Sequence, residues 1–215
     1  MRALLVDDHV LFSQSLQFLL QNLDKDLVCV TAHSVAAAVA APGPFDFVLL
    51  DYGLPDNHGT DGLNRVRAAH EGATVAIVSG ETRIGLVQEL VEQGAAGFIP
   101  KSADAATLLK ALETMLAGGV YLPPASLVVH GAVGNLPEAI GTLSPRQMEC
   151  LLKLVQGKPN KVIAREMYVA ESTVKTHLAV AFKALGVTSR SEAVFQAAVL
   201  GLLPPTPKRR ATDRD

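Results

Sequence analysis

The stretch Phe45-Asp46-Phe47-Val48-Leu49-Leu50-Asp51-Tyr52-Gly53-Leu54-Pro55 decides the fold. An apolar run of strand length stops on a single carboxylate, and Gly53 and Pro55 then mark a turn. A run with no polar alternation belongs inside a parallel sheet covered on both faces. Near the start, Ala3-Leu4-Leu5-Val6 runs in the same way into Asp7-Asp8. Two buried strands thus each deliver acid at their C-terminal ends, the edge at which open parallel sheets bind ligands. Three carboxylates gathered there repel one another and call for a divalent cation. Hard oxygen donors of this kind suit Mg2+.

Outward from these two strands the pattern alternates. Strands are read at residues 2–6, 27–32, 46–50, 74–78 and 96–99. Helices fall between and after them, at 10–22, 34–41, 60–70, 83–93 and 104–117. Short apolar runs between helical periods make βαβ units, so residues 1–118 are expected to form an α/β, doubly wound, parallel five-stranded sheet. Gly118-Gly119 ends the last helix. Residues 119–141 lack a clear period and carry Pro123-Pro124, Gly131, Gly134, Pro137 and Gly141. They read as a linker with a short helical turn.

The remainder is helical. Ser144-Pro145-Arg146-Gln147 offers a capping serine, a proline at the first helical position and a glutamine at the third. Helices are read at 145–156, at 161–167 with Asn160 as cap, at 171–185, and from a Ser189-Arg190-Ser191-Glu192 capping box to about residue 200. Residues 142–203 therefore form a small all-α, four-helix domain. Residues 204–215, rich in proline and mixed charge, are expected to be a disordered tail.

Charge divides the chain in the same place. Residues 1–141 carry 7 basic and 15 acidic side chains, whereas residues 142–203 carry 8 basic and 4 acidic. An acidic first part and a basic second part point to different partners, the second a candidate for nucleic acid. Cys29 and Cys150 form no CxxC pair and read as reduced packing residues. No apolar run approaches the ~20 residues of a membrane span, and the opening is too short for a signal peptide, so a cytoplasmic protein with no membrane partner is expected.

Asp7-Asp8, Asp51, Ser79 and Lys101 fall at the ends of the first, third, fourth and fifth strands. With that set, residues 1–118 resemble a response-regulator receiver domain of flavodoxin-like fold. The resemblance implies that Asp51 is the phosphoacceptor for a histidine kinase. It further implies that Asp8, Asp51 and the Gly53 carbonyl hold Mg2+, with Asp7 partly through water, and that Ser79 and Lys101 contact the phosphoryl oxygens. Phe98 stands where receivers place an aromatic switch residue, which is expected to turn inward as Ser79 moves toward the phosphoryl group. Independently of the family, a carboxylate can attack a phosphoryl group only if their repulsion is cancelled, which a cation and a lysine ammonium achieve. His9 and His58 read as loop residues beside the site. Ser102 departs from the family, in which proline often follows the lysine. Pro100 predicts that the fifth strand lies at a sheet edge.

Residues 142–203 resemble the LuxR-type helix-turn-helix domain of the NarL/FixJ class. Leu143–Glu149, Asn160–Ala164, Ser172–Leu178, Leu185-Gly186-Val187 and Ser191–Val194 carry the likeness. On the third helix Val174, Leu178, Ala181 and Leu185 recur at core spacing. Ser172, Lys175, Thr176, Ala179 and Lys183 share another face, small and basic enough to enter a major groove. Lys175 is the leading base-edge or phosphate contact, with Thr176 beside it, and Ala179 offers an apolar contact. Lys158, Lys161, Arg165 and Arg190 are expected at phosphates. His177 is expected to pack within the domain. Val162, Ala170 and Tyr168 depart from the family pattern in and beside the turn.

The expected protein is a two-component regulator that is phosphorylated on Asp51 and binds double-stranded DNA as a homodimer; it is not an enzyme in its output. The last helix, through Val194, Ala197, Ala198 and Leu200, is read equally as dimer face and as core. Two other readings stay open: a regulator controlled by a protein partner without phosphate, and a magnesium-dependent phosphatase or phosphotransferase built on Asp7, Asp8 and Asp51.

Overall fold

The apolar runs become strands β1 (Arg2–Val6), β2 (Val28–Ala32), β3 (Phe47–Asp51), β4 (Thr74–Ser79) and β5 (Gly97–Pro100) in the computed structural model, which describes residues 1–123 and 138–202. They form one parallel sheet in the order β2-β1-β3-β4-β5. Between and after them lie α1 (Val10–Leu23), α2 (Val35–Ala40), α3 (Asp61–Ala69), α4 (Ile84–Glu92) and α5 (Ala105–Leu116). The expected ranges hold to within one or two residues at each end.

Strand periodicity explains the two layers. Leu4 and Val6 of β1 join the apolar cluster under α2, α3 and α4, whereas Ala3 and Leu5 join the one under α1 and α5. Every side chain of β3 is buried, and burying each of its leucines or valines contributes about 1.5–3 kcal/mol. The register then positions the acids. Val6 pairs with Leu50 and Asp51 with Val78, so the residues that follow the apolar runs emerge together at one edge.

β5 is an edge strand, as Pro100 requires. Its free side is covered: the Phe98 N–H donates to the Tyr121 carbonyl at 2.9 Å, and Val120 and Leu122 are buried. The first residues of the expected linker are thus a cover on the sheet edge. Residues 124–137 of the linker and the expected disordered tail, with Leu203 before it, lie outside the described residues.

The second domain comprises α6 (Glu138–Gly141), α7 (Pro145–Val155), α8 (Asn160–Met167), α9 (Glu171–Leu185) and α10 (Arg190–Val199). The capping box opening α7 forms as expected, Ser144 Oγ accepting from Gln147 N–H and Gln147 Oε1 from Ser144 N–H. Two cap expectations are corrected. Asn160 is the first residue inside α8, after Pro159, and its side chain accepts from Arg190 Nη1 at 2.9 Å. At α10 only half of the box closes: Ser189 Oγ accepts from Glu192 N–H, but the Glu192 carboxylate takes the N–H and hydroxyl of Thr188.

The two domains touch. Gln88, Val91 and Glu92 of α4 face Glu192, Phe195 and Gln196 of α10 across a narrow cleft. Gly119 lies so close to Gly157 that an added β-carbon would collide with the Gly157 carbonyl. Val194, Ala197, Ala198 and Leu200 are all buried. The apolar face considered for dimerisation is therefore core in this arrangement.

Candidate functional site

The acidic edge is built from strand ends. Asp7 and Asp51 are buried, while Asp8, one step further along the chain, is exposed. Lys101, directly after β5, reaches across β4 and bridges the two buried acids, its Nζ lying 2.8 Å from Asp51 Oδ2 and 2.9 Å from Asp7 Oδ2. Burial would pull this ammonium down, but the hydrogen bonds and negative charge of Asp51 and Asp7 outweigh it and hold it above the ordinary lysine value. The Phe12 ring lies 5.1 Å from Nζ and presents its face to the same cation. The other Asp51 oxygen accepts from Gly53 N–H at 3.0 Å, which fixes the turn after β3.

The site fits a hard cation. Asp7, Asp8, His9 and Asp51 each offer a ligand atom, all four within 4.8 Å of one another. Asp7 Oδ2 is buried, and Lys101 Nζ at 2.9 Å is its one partner among the described residues. A buried carboxylate oxygen beside other oxygens is a donor that Mg2+ takes.

Ser79, at the end of β4, is buried, and its Oγ accepts from Glu81 N–H at 3.0 Å. That bond uses an oxygen lone pair and leaves the hydroxyl hydrogen to be donated elsewhere. Phe98 is already fully inward, packed in the cluster beneath α4. Two histidines add to the edge. His9, read as a loop residue, is the N-cap of α1, and its Nδ1 lies 3.2 Å from Asp7 Oδ1 and 2.9 Å from Asp8 Oδ1. His33 Nδ1 lies 2.9 Å from the Asp7 carbonyl. His58 is an exposed loop residue, as read. The adjacency of His9 to Asp7-Asp8 was the one local signal for its involvement; nothing near His33 in the chain signals its contact.

The helical domain presents its expected face. Val174, Leu178, Ala181 and Leu185 of α9 are buried, and Ser172, Lys175, Thr176, Ala179 and Lys183 are all exposed. Gly118, just past α5, borders the same shallow cleft as Lys175 and Ala179, so the first domain stands beside this face without burying it. The Thr176 hydroxyl donates to the Ser172 carbonyl at 3.0 Å, which ties it to the helix backbone. Lys161 and Arg165 are exposed, and His177 is half-buried.

Two of the expected phosphate contacts are engaged internally. Lys158 Nζ lies 2.7 Å from both oxygens of Glu166, which also takes Lys153 at 2.8 Å. Those two lysines hold the Glu166 carboxyl well below its usual range, at about 2. Arg190 is half-buried, binds Asn160 and the Lys158 carbonyl, and has its guanidinium pulled down to about 10 by burial. Arg190 thus acts as a strut between helices and Lys158 as an ion-pair partner. Ala170 caps α9 without a side-chain bond. Cys150 is buried, which pushes its thiol up to about 11, as suits an inert packing residue.

Comparison with known proteins agrees with both halves. Residues 3–113 match the response regulator receiver domain, and residues 141–197 match the bacterial regulatory proteins of the luxR family. The chain is 30% identical over 208 residues to the glycerol metabolism activator of Pseudomonas putida, covering 91% of this chain and 94% of that one. It is 32% identical over 203 residues to the probable transcriptional regulatory protein NarL of Mycobacterium tuberculosis, covering 91% and 93%. Among solved structures, a LuxR family DNA-binding response regulator from Silicibacter pomeroyi superposes with a TM-score of 0.51 at 34% identity, over 58% of this chain and 98% of that one. The RcsB response regulator of Salmonella typhimurium shares the fold, with a TM-score of 0.52 at 17% identity over 90% and 96%.

Proposed function

We propose, from the premise that the chain belongs to the response regulators with a receiver domain and a LuxR-type DNA-binding domain, that Asp51 accepts a phosphoryl group and that this changes how α9 engages DNA. The observation that carries the reading is the single ammonium shared by two buried acids, in a chain whose recognition face is open.

The donor is a phosphohistidine on a histidine kinase. One carboxylate oxygen of Asp51 attacks phosphorus; the P–N bond breaks, and the imidazole leaves with the electron pair and takes up a proton from solvent. The acyl phosphate that forms adds negative charge beside Asp7. Asp8, Asp51 and the Gly53 carbonyl, with Asp7, would hold Mg2+, which would supply positive charge to neutralise the phosphoryl oxygens. Lys101 keeps its contact with Asp7 and shifts its second contact from Asp51 to a phosphoryl oxygen. Ser79 gives its hydroxyl hydrogen to another, and Phe98, already inward, repacks against Leu86, Val87 and Leu90 and so carries the movement to the α4 surface.

That surface is where α10 rests. Separation of α4 from α10 frees the helical domain to pair with a second copy on DNA, since a two-fold dimer matches two half-sites. Lys175 and Lys183, with Ser172 and Ala179 between them, enter the major groove, and Lys161 and Arg165 hold phosphates. The protein works in the cytoplasm, and its output is transcription rather than turnover of a substrate.

The test is fluorescence anisotropy on duplex DNA across a salt series, before and after treatment with a small acyl phosphate and Mg2+. Acid-labile phosphate on the unaltered chain and tighter binding after treatment, both lost in Asp51→Asn, are expected. Phosphate that forms without any change in binding overturns the switch, and phosphate that forms equally in Asp51→Asn overturns the acceptor.

A further inference from the structure

We infer that Tyr168 is a DNA-backbone contact: its phenol hydroxyl donates to a phosphate oxygen at the lip of the groove that α9 enters. The inference rests on the reading that the helical domain binds DNA, and it adds a residue for which composition and charge give no reason.

Two independent features of Tyr168 point the same way. The first is its backbone. Tyr168 ends α8 in the left-handed region, at φ 56° and ψ 44°. Every other position with positive φ among the described residues is a glycine. A β-carbon disfavours this conformation, and for a bulky side chain it is a true outlier. Glycine or asparagine would make the same turn without that cost. The second feature is exposure. The side chain is 95% exposed, the highest among the large hydrophobic and aromatic residues left in solvent. Among the described residues it therefore contributes nothing to the core that could offset the backbone, and no contact among them requires an aromatic ring here.

A strained residue that the fold does not need is the kind of outlier from which a functional role is inferred. Its position says which role. Tyr168 lies two residues before Ala170, the N-cap of α9. The N-terminal residues of a recognition helix approach base edges while the helix before it crosses the DNA backbone, and Tyr168 joins the two. Tyrosine is among the side chains that bond phosphate oxygens without reading sequence. It precedes Ser172, on the first turn of α9, by four residues, and both are exposed.

The experiment compares Tyr168→Phe, Tyr168→Asn and Lys175→Ala with the unaltered full chain, treated with a small acyl phosphate and Mg2+. Affinity is read for a mixed-sequence duplex across a salt series, with a thermal melt of each variant. Tyr168→Phe keeps the ring and loses the hydroxyl, so binding weakens about ten-fold, the lower end for a hydrogen bond to a charged acceptor. Tyr168→Asn weakens it further, while its melting midpoint stays level or rises because asparagine accepts the left-handed backbone. Neither change alters the salt dependence, because a neutral hydroxyl releases no counterion, whereas Lys175→Ala lowers the slope by about one. If Tyr168→Phe binds as tightly as the unaltered chain, or lowers the salt slope as the lysine change does, the contact is overturned. If the unaltered chain itself fails to bind the duplex, it is the DNA-binding reading that falls.

Discussion

At the acidic edge two carboxylates with side chains 3% exposed share one ammonium, whereas along α9 two lysines stand in solvent with no ion-pair partner among the described residues. Both arrangements hold charge ready for phosphate, and they do so by opposite means. The first compensates its charge internally, so an arriving phosphoryl group exchanges one partner for another. The second leaves its charge uncompensated and open to a polyanion, which on the proposed reading is DNA. Desolvated charge depends on its neighbours and is costly to strand; solvated charge costs the fold nothing and its effect is screened by salt. Substitutions at the edge that strand a buried charge should therefore change function and stability together, and substitutions on the helix should change function alone.

The largest effect is expected at Asp51. Asp51→Asn keeps the size and the Gly53 N–H bond but removes the nucleophilic charge. Acid-labile phosphate should fall to background, measured by a mobility shift on a phosphate-binding gel. The fold should tolerate the change, because Lys101 still has Asp7. A variant that unfolds instead would show that the shared ion pair is a structural element first.

Lys101→Ala sharpens the contrast. It leaves Asp7 and Asp51 buried side by side without their cation. A wholly buried pair broken in this way costs about 3–5 kcal/mol, and at this open edge about 2 kcal/mol is expected. Urea titration should show the fall, with part of it recovered in millimolar Mg2+. An unchanged midpoint would mean that water already solvates the acids, and the distinction between the two regions would collapse.

On the other side, Lys175→Ala should leave the urea midpoint within about 0.5 kcal/mol of the unaltered chain, as surface changes usually do. DNA affinity should fall, with a weaker salt dependence. If Lys175→Ala destabilises the fold instead, the lysine belongs to the domain's own packing.

The sequence makes one half of this comparison more legible than the other. The strands, their parallel sense and the convergence of Asp7, Asp51, Ser79 and Lys101 follow from where each apolar run stops, and strand register carries that local signal across the sheet. The open face of α9 follows from helical spacing in the same way. The fate of individual charges does not. Arg190 finds its partners 30 and 32 residues away, and Lys158 is tied up by Glu166 across a turn. His33 meets Asp7 across 26 residues. Local patterns encode periodicity, whereas these pairings are set by how helices and strands pack. The contact of α4 with α10, and the left-handed backbone of Tyr168 where a glycine would be read as a turn, belong to that second kind.

The smallest effect expected tests a charge cluster intermediate between the two extremes. Glu166 is solvent-facing yet held by Lys153 and Lys158, and its carboxyl lies at about 2, below its ordinary 4.5. A depressed carboxyl stabilises the fold above its unfolded value, and that contribution is lost as pH falls through the folded one. The window is therefore between about pH 4.5 and pH 2. Glu166→Gln should flatten the acid side of the stability profile in that window, measured by urea titration at successive pH values. High salt should weaken the same feature in the unaltered chain, because exposed ion pairs are screened. A profile that keeps its slope in Glu166→Gln would show that the Lys153–Glu166–Lys158 cluster adds nothing to stability in acid, and would overturn its intermediate place between the two regions.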